Sequence, residues 1–181
     1  TGANNTASGF RALLSNTTGA SNTVSGYQSM YSNTTGYYNV SIGTDALKTQ
    51  TSATQNVAVG YHALRLNTSS ISTAVGGSSL ANNSSGSGNA ALGWNSLNGN
   101  TTGSSNTAVG TQAAQSNTTG SNNTAMGYQS LLSNTTGANN TALGYGAGDN
   151  ITTGSSNIII GAEVDAPSAT ASNQLNIGNW I

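Results

Sequence analysis

Acid–base or nucleophilic chemistry needs titratable or nucleophilic side chains held against partners, and this chain has few of them. His62 is the only histidine, there is no cysteine, and seven residues carry a formal charge. His62 follows Tyr61 at a position held elsewhere by Gln28, Gln112 and Gln129, which reads as a solvated turn residue. Glu163 and Asp165 lie two apart and could project from one strand face as a carboxylate pair or a metal site. They also sit where the local pattern degenerates before Pro167, which reads as a polar exit segment. Asp45 and Lys48 make at most a surface ion pair of little energetic weight. Gly144-Tyr-Gly-Ala-Gly148 has the glycines of a phosphate loop but no lysine after it. The expectation is a chain with no catalytic residues, no metal and no cofactor.

Three other residue sets suit contact rather than catalysis. Tyr37 and Tyr38 stand in an otherwise small, polar stretch and are candidates for exposed contacts. Thr17, Thr34, Thr51, Thr68, Thr101, Thr118, Thr135 and Thr152 recur seventeen residues apart with one gap between Thr68 and Thr101, as a surface contact rank or an ice-ordering ladder would. Asn16, Asn33, Asn100, Asn117 and Asn134 each open an Asn-Thr-Thr sequon and are expected as exposed glycan acceptors. An interrupted column of aromatics (Phe10, Tyr27, Tyr61, Trp94, Tyr128 and Tyr145) either covers bare backbone, packs between chains or stacks on carbohydrate.

What positions all of these is a repeat. In rows of seventeen residues the chain falls into register at Asn5, Asn22, Asn39, Asn56, Ser72, Asn89, Asn106, Asn123, Asn140, Asn157 and Gln174, with the row from Asn56 one residue short. The fifth position is glycine in every row: Gly9, Gly26, Gly43, Gly60, Gly76, Gly93, Gly110, Gly127, Gly144, Gly161 and Gly178. A glycine required in each copy marks a backbone with positive φ or no room for a Cβ, so these residues are expected to stack as a structural turn column. The third position is small, the fourth mostly aliphatic, the ninth mainly leucine, and the twelfth to fifteenth often read Asn-Thr-Thr-Gly.

Asn, Thr, Ser and Gly fill 103 of the 181 positions, a composition that by itself points to disorder. The periodicity points instead to an all-β chain. Helix is disfavoured by two glycines per repeat. The reading is a β-solenoid or β-roll of about ten coils, each with two short strands, over residues 1–156, followed by degenerate last repeats at 157–181 that lead into a fibre continuation. The fourth and ninth positions (Val59, Leu64, Leu92, Leu97, Val109, Met126, Leu131 and Leu143) are expected inside, and the alanines of the third on a second face. Each coil then has too few bulky apolar groups to order itself, so that face is expected to meet other chains in a parallel homotrimer.

At Asn106-Thr-Ala-Val-Gly110 and Asn123-Thr-Ala-Met-Gly127 the chain resembles the head repeats of trimeric autotransporter adhesins. That resemblance implies a left-handed parallel β-roll in a trimer, although the present repeat is longer than the family's common one. Ser172 to Ile181 resembles a segment near the end of repetitive phage tail-fibre and bacterial surface-fibre proteins. Together these imply an extracellular, cell-surface or virion fibre segment that displays polar loops for attachment. Its partners would be copies of itself, in a homotrimer or an end-to-end filament, and a cell-surface glycan or extracellular matrix. An ice-binding solenoid and a phage tail-fibre shaft are the alternatives. Scattered Arg11, Lys48 and Arg65, with a net charge of −1, exclude a nucleic-acid footprint, and no apolar run is long enough for a membrane helix. Trp180 and Ile181 are expected to be buried against the next segment.

Overall fold

The chain is a β-solenoid, here described from a computed structural model over residues 2–178. Each coil contributes one strand of three residues, from Thr6–Ser8 in coil 1 to Leu175–Ile177 in coil 11. The eleven strands form one parallel sheet in strict sequence order, each paired to the next in the same register. At the usual strand spacing the stack is about 48 Å long. Trp180 and Ile181 lie outside the described residues.

Two expectations need correction. There is one strand per coil, not two. The stretch around the ninth-position leucine is a succession of turns, because Leu47, Leu64, Leu80, Leu97 and Leu131 adopt φ of 47° to 52°. This left-handed conformation is unfavourable for a leucine, and the surrounding ladder has to hold it there. The compensation is burial: those five side chains are fully enclosed and run in single file through the rod.

The faces of the strand are also reversed. Alternation puts the third and fourth positions on opposite sides, as expected, but it is the third that faces inward. Ala58, Ala74, Ala91, Ala108, Ala125 and Ala142 are buried. Leu92, Met126 and Leu143, expected inside, are 49%, 41% and 46% exposed, and Val59 and Val109 are half-buried. A coil with one short strand has a thin interior. The ninth-position leucine and a small eighth residue such as Ala63 or Ser96 already fill it, leaving room opposite for little more than a methyl group.

The glycine column closes the strand. From Gly9 to Gly161 its φ values lie between 128° and 140°, while Gly178 differs at 54°. The amide of Gly110 donates to the carbonyl of Leu92 at 2.8 Å. A Cβ on Gly110 would come within 3.0 Å of the Gly127 carbonyl in the next coil. Conformation and close approach each demand glycine here.

Candidate functional site

Three surfaces follow from one coil: a return side, a strand face and a turn edge.

The return side is made of polar residues turned inward. Asn33, Asn100, Asn117 and Asn134 are fully buried and Asn16 half-buried, so the expectation that these sequons are exposed acceptors is overturned. Asn117 donates from Nδ2 to Asn100 Oδ1 at 2.8 Å and to the Gly120 carbonyl at 2.9 Å, and its Oδ1 accepts from Asn134 at 2.9 Å. A glycan on that nitrogen has no path to solvent. A second amide ladder runs through the first position: Asn106 donates its backbone amide to Asn89 Oδ1 and its Nδ2 to the Gly120 carbonyl, both at 2.9 Å. A buried amide is costly unless paired, and here stacking supplies the pairs.

The thirteenth-position threonines point partly outward but spend their hydroxyl protons along the rod. Thr118 Oγ1 donates to the Thr135 carbonyl at 2.9 Å, Thr17 to that of Thr34 at 2.9 Å, and Thr34 to that of Thr51 at 3.0 Å. Thr101 and Thr135 do the same at 3.0 Å. Thr17 is exposed and Thr34, Thr101, Thr118 and Thr135 are half-buried. Tyr37 and Tyr38 are 47% and 61% exposed and meet edge to face with ring centroids 5.1 Å apart.

The strand face, like the sequon asparagines, lies on the opposite side from the one its sequence suggested. Its outward residues are the second and fourth positions, which form two ranks down the sheet. Thr73, Thr124 and Thr141 in the first rank are exposed or half-buried, and Ile42, Leu92, Met126, Leu143 and Ile177 in the second are all more than 40% exposed. The signal was present in the sequence: the third position is small in nearly every row, and a core packed against bulky ninth-position leucines needs a small partner.

The turn edge carries the sixth, seventh and tenth positions. The aromatics of the sixth are exposed, and neighbours stack: Phe10 on Tyr27 at 5.5 Å and Tyr128 on Tyr145 at 5.2 Å. Lys48 Nζ lies 3.1 Å from Asp45, and His62, stacked under Tyr61 at 3.7 Å, lies 3.6 Å from the same carboxylate. Contrary to the solvated-turn reading, His62 is half-buried, and burial followed by the Arg65 charge holds its pKa below 6.5 despite the Asp45 carboxylate. Six coils away Gln129, Tyr145, Gly146, Asp149, Glu163 and Asp165 line a cavity of about 230 Å³. Burial pushes the Asp149 carboxyl above 3.8, reinforced by its hydrogen bond to Asp165 and by the charges of Asp165 and Glu163. Among the described residues no group of three or more His, Cys, Asp or Glu is placed to hold a metal ion.

Compared with family models, curated proteins and solved structures, the chain matches none.

Proposed function

We propose that this chain is a segment of an extracellular adhesive fibre, built as a parallel homotrimer through its strand face. The observation that carries the reading is the aliphatic rank at the fourth position, exposed or half-buried and in register from Ile42 in coil 3 to Ile177 in coil 11. Apolar surface of that extent on a soluble chain marks an interface. A partner that covers it throughout has to repeat at the same rise per coil, and a second copy running in the same direction does so. Side-by-side copies then form a rod whose return sides and turn edges face outward. Adhesion would come from many weak contacts along its length, in which Tyr37, Tyr38 and the threonine rank are the side chains offered to a glycan or matrix surface.

Mass in solution tests the assembly. The chain is 17.9 kDa, and sedimentation should report three times that value. Leu92→Asp with Met126→Asp should reduce it to the mass of one chain without loss of β-sheet circular dichroism. A wild-type chain that sediments as a monomer at all concentrations ends the trimer reading. Retention of coated beads on a glycan or matrix surface tests adhesion separately, with Tyr37→Ser/Tyr38→Ser beads expected to detach first. Retention no better than that of uncoated beads leaves a purely structural fibre.

A further inference from the structure

All seven formally charged residues lie on the turn edge. Arg11, Asp45 and Glu163 hold the seventh position of their coils, Lys48, Arg65 and Asp149 the tenth, and Asp165 the ninth. The structure brings these positions together, as the Lys48–Asp45 pair and the cavity lined by Tyr145, Asp149, Glu163 and Asp165 both show. The signs are segregated along the rod. Coils 1 to 4 hold Arg11, Lys48 and Arg65 against Asp45, a net +2; coils 9 and 10 hold Asp149, Glu163 and Asp165, a net −3; coils 5 to 8 hold none.

Neither end is neutralised within the chain. Lys48 in coil 3 and Glu163 in coil 10 are seven rungs apart, about 34 Å at the usual strand spacing. Arg65 makes no ion pair among the described residues. At the other end Asp149, Glu163 and Asp165 line one cavity, and burial, then the Asp165 hydrogen bond and the neighbouring charges, push the Asp149 carboxyl upward.

We propose that the turn edge is a homotypic docking surface on which a second copy of this chain lies antiparallel. A two-fold axis between coils 6 and 7 sets coil 3 against coil 10 and coil 4 against coil 9. Lys48 then faces Glu163 and Asp165, and Arg65 faces Asp149, each contact occurring twice. The same register brings exposed Tyr61 opposite exposed Tyr145, so apolar rings flank the paired charges. Parallel, in-register packing on this edge would instead set like charges against like, which is repulsive. The strand-face contact proposed above uses the second and fourth positions, none of which is needed here. Antiparallel contact is also the geometry in which fibres projecting from two facing surfaces meet.

Lys48 is the only lysine, which makes the orientation directly readable. Zero-length carbodiimide coupling of the intact chain at low salt should join Lys48 to Glu163 or Asp165. That link cannot form within one rod, and its yield should rise with protein concentration and fall at about 0.5 M salt. Arg65→Glu should weaken the association on the order of tenfold, and mixing it with an Asp149→Arg chain should restore binding. Coupling of Lys48 to Asp45 alone, or a yield unchanged by salt and concentration, overturns the proposal. The oligomer mass tests the parallel contact independently, because a trimer without the Lys48–Glu163 or Lys48–Asp165 link leaves that reading standing and removes this one.

Discussion

On the return side of each coil polar side chains are inside, and on the strand face apolar side chains are outside. Asn117 is fully buried while Leu92, one coil earlier, is 49% exposed. The difference follows from how a narrow coil satisfies its own backbone. The return is not a strand: its thirteenth-position amides bond to the next coil's carbonyls, and the carbonyl of its closing glycine is capped by the amides of the twelfth and first positions. The strand face has its backbone bonds made by the sheet and is free to carry whatever a partner requires. The residue types usually associated with display therefore hold the rod together, and those usually associated with a core are available for contact.

The largest expected effect lies at the glycine column, where the strand ends and the turn edge begins. Gly110→Val combines a φ of 136° with a Cβ inside 3.0 Å of the next coil's carbonyl, and neither clash can be relieved without moving the stack. A loss of about 4 kcal/mol is expected in denaturant unfolding, compared with a fraction of that for a surface glycine. A stable Gly110→Val chain would mean that the column is tolerant of side chains and that the coil is closed by other means.

Next comes a matched pair that tests inside against outside directly. Leu97→Ala removes a fully buried side chain from the central file and should cost about 3 kcal/mol. Leu92→Ala, on the same coil, should stay within about 0.5 kcal/mol in the separated chain. A cost for Leu92→Ala that grows with protein concentration would identify the strand face as an interface. Equal costs in dilute solution would erase the distinction between the two leucines.

How much of this was legible depended on the column. Gly110 and its equivalents are invariant within the molecule because two physical constraints coincide there, and an internal repeat records such constraints. Leu97 was readable as core for the same reason. The fourth position was misread because Val109 and Met126 look like core residues, and hydrophobicity alone does not tell a buried face from one that awaits a partner. The second strand was inferred from repeat length, but Leu97 at φ 48° shows that its segment turns instead. The sequons misled because Asn-Thr-Thr is written the same way whether the amide faces solvent or stacks on its neighbour. Ile151 offered a clue: an isoleucine in the asparagine column is compatible only with an inward position. Its presence leaves Asn134 Oδ1 buried without a partner where that ladder ends. The two charged clusters were visible as residues, but their common edge required the seventh and tenth positions to be placed in space.

Breaking the ladder from its middle is the third test. Asn117→Ala takes from the Asn134 amide one of its two acceptors and leaves Asn100 Oδ1 without its donor in a dry column. A loss of about 2 kcal/mol is expected, with little recovery in Asn117→Asp, which restores an acceptor but no donor and buries a charge. In the folded chain Asn117 should also resist enzymatic glycosylation, whereas an unfolded peptide of the same sequence accepts it. Modification of the folded chain at Asn117 would return the return side to the role of a display surface.

The smallest effects should come from the two ends of the turn edge, and they should have opposite signs. His62 has its folded pKa lowered below 6.5, first by burial and then by Arg65. As pH falls through 6.5 the unfolded chain takes up the proton before the folded one. The stability contributed by neutral His62 is therefore complete above that pH and declines below it. Asp149 has its folded pKa raised above 3.8, first by burial and then by its hydrogen bond to Asp165 and the neighbouring carboxylates. There the folded chain takes up the proton first, so acidification from the raised value towards 3.8 relieves a penalty and stabilises the fold. Thermal unfolding followed from about pH 7.5 to about pH 3.5 should show a shallow loss and then a partial recovery. His62→Gln, which installs the residue other coils carry, should remove the loss and leave the recovery. Asp149→Asn should do the reverse and raise the melting temperature near neutral pH. A curve in which both substitutions flatten the same limb would mean that the two clusters do not titrate independently.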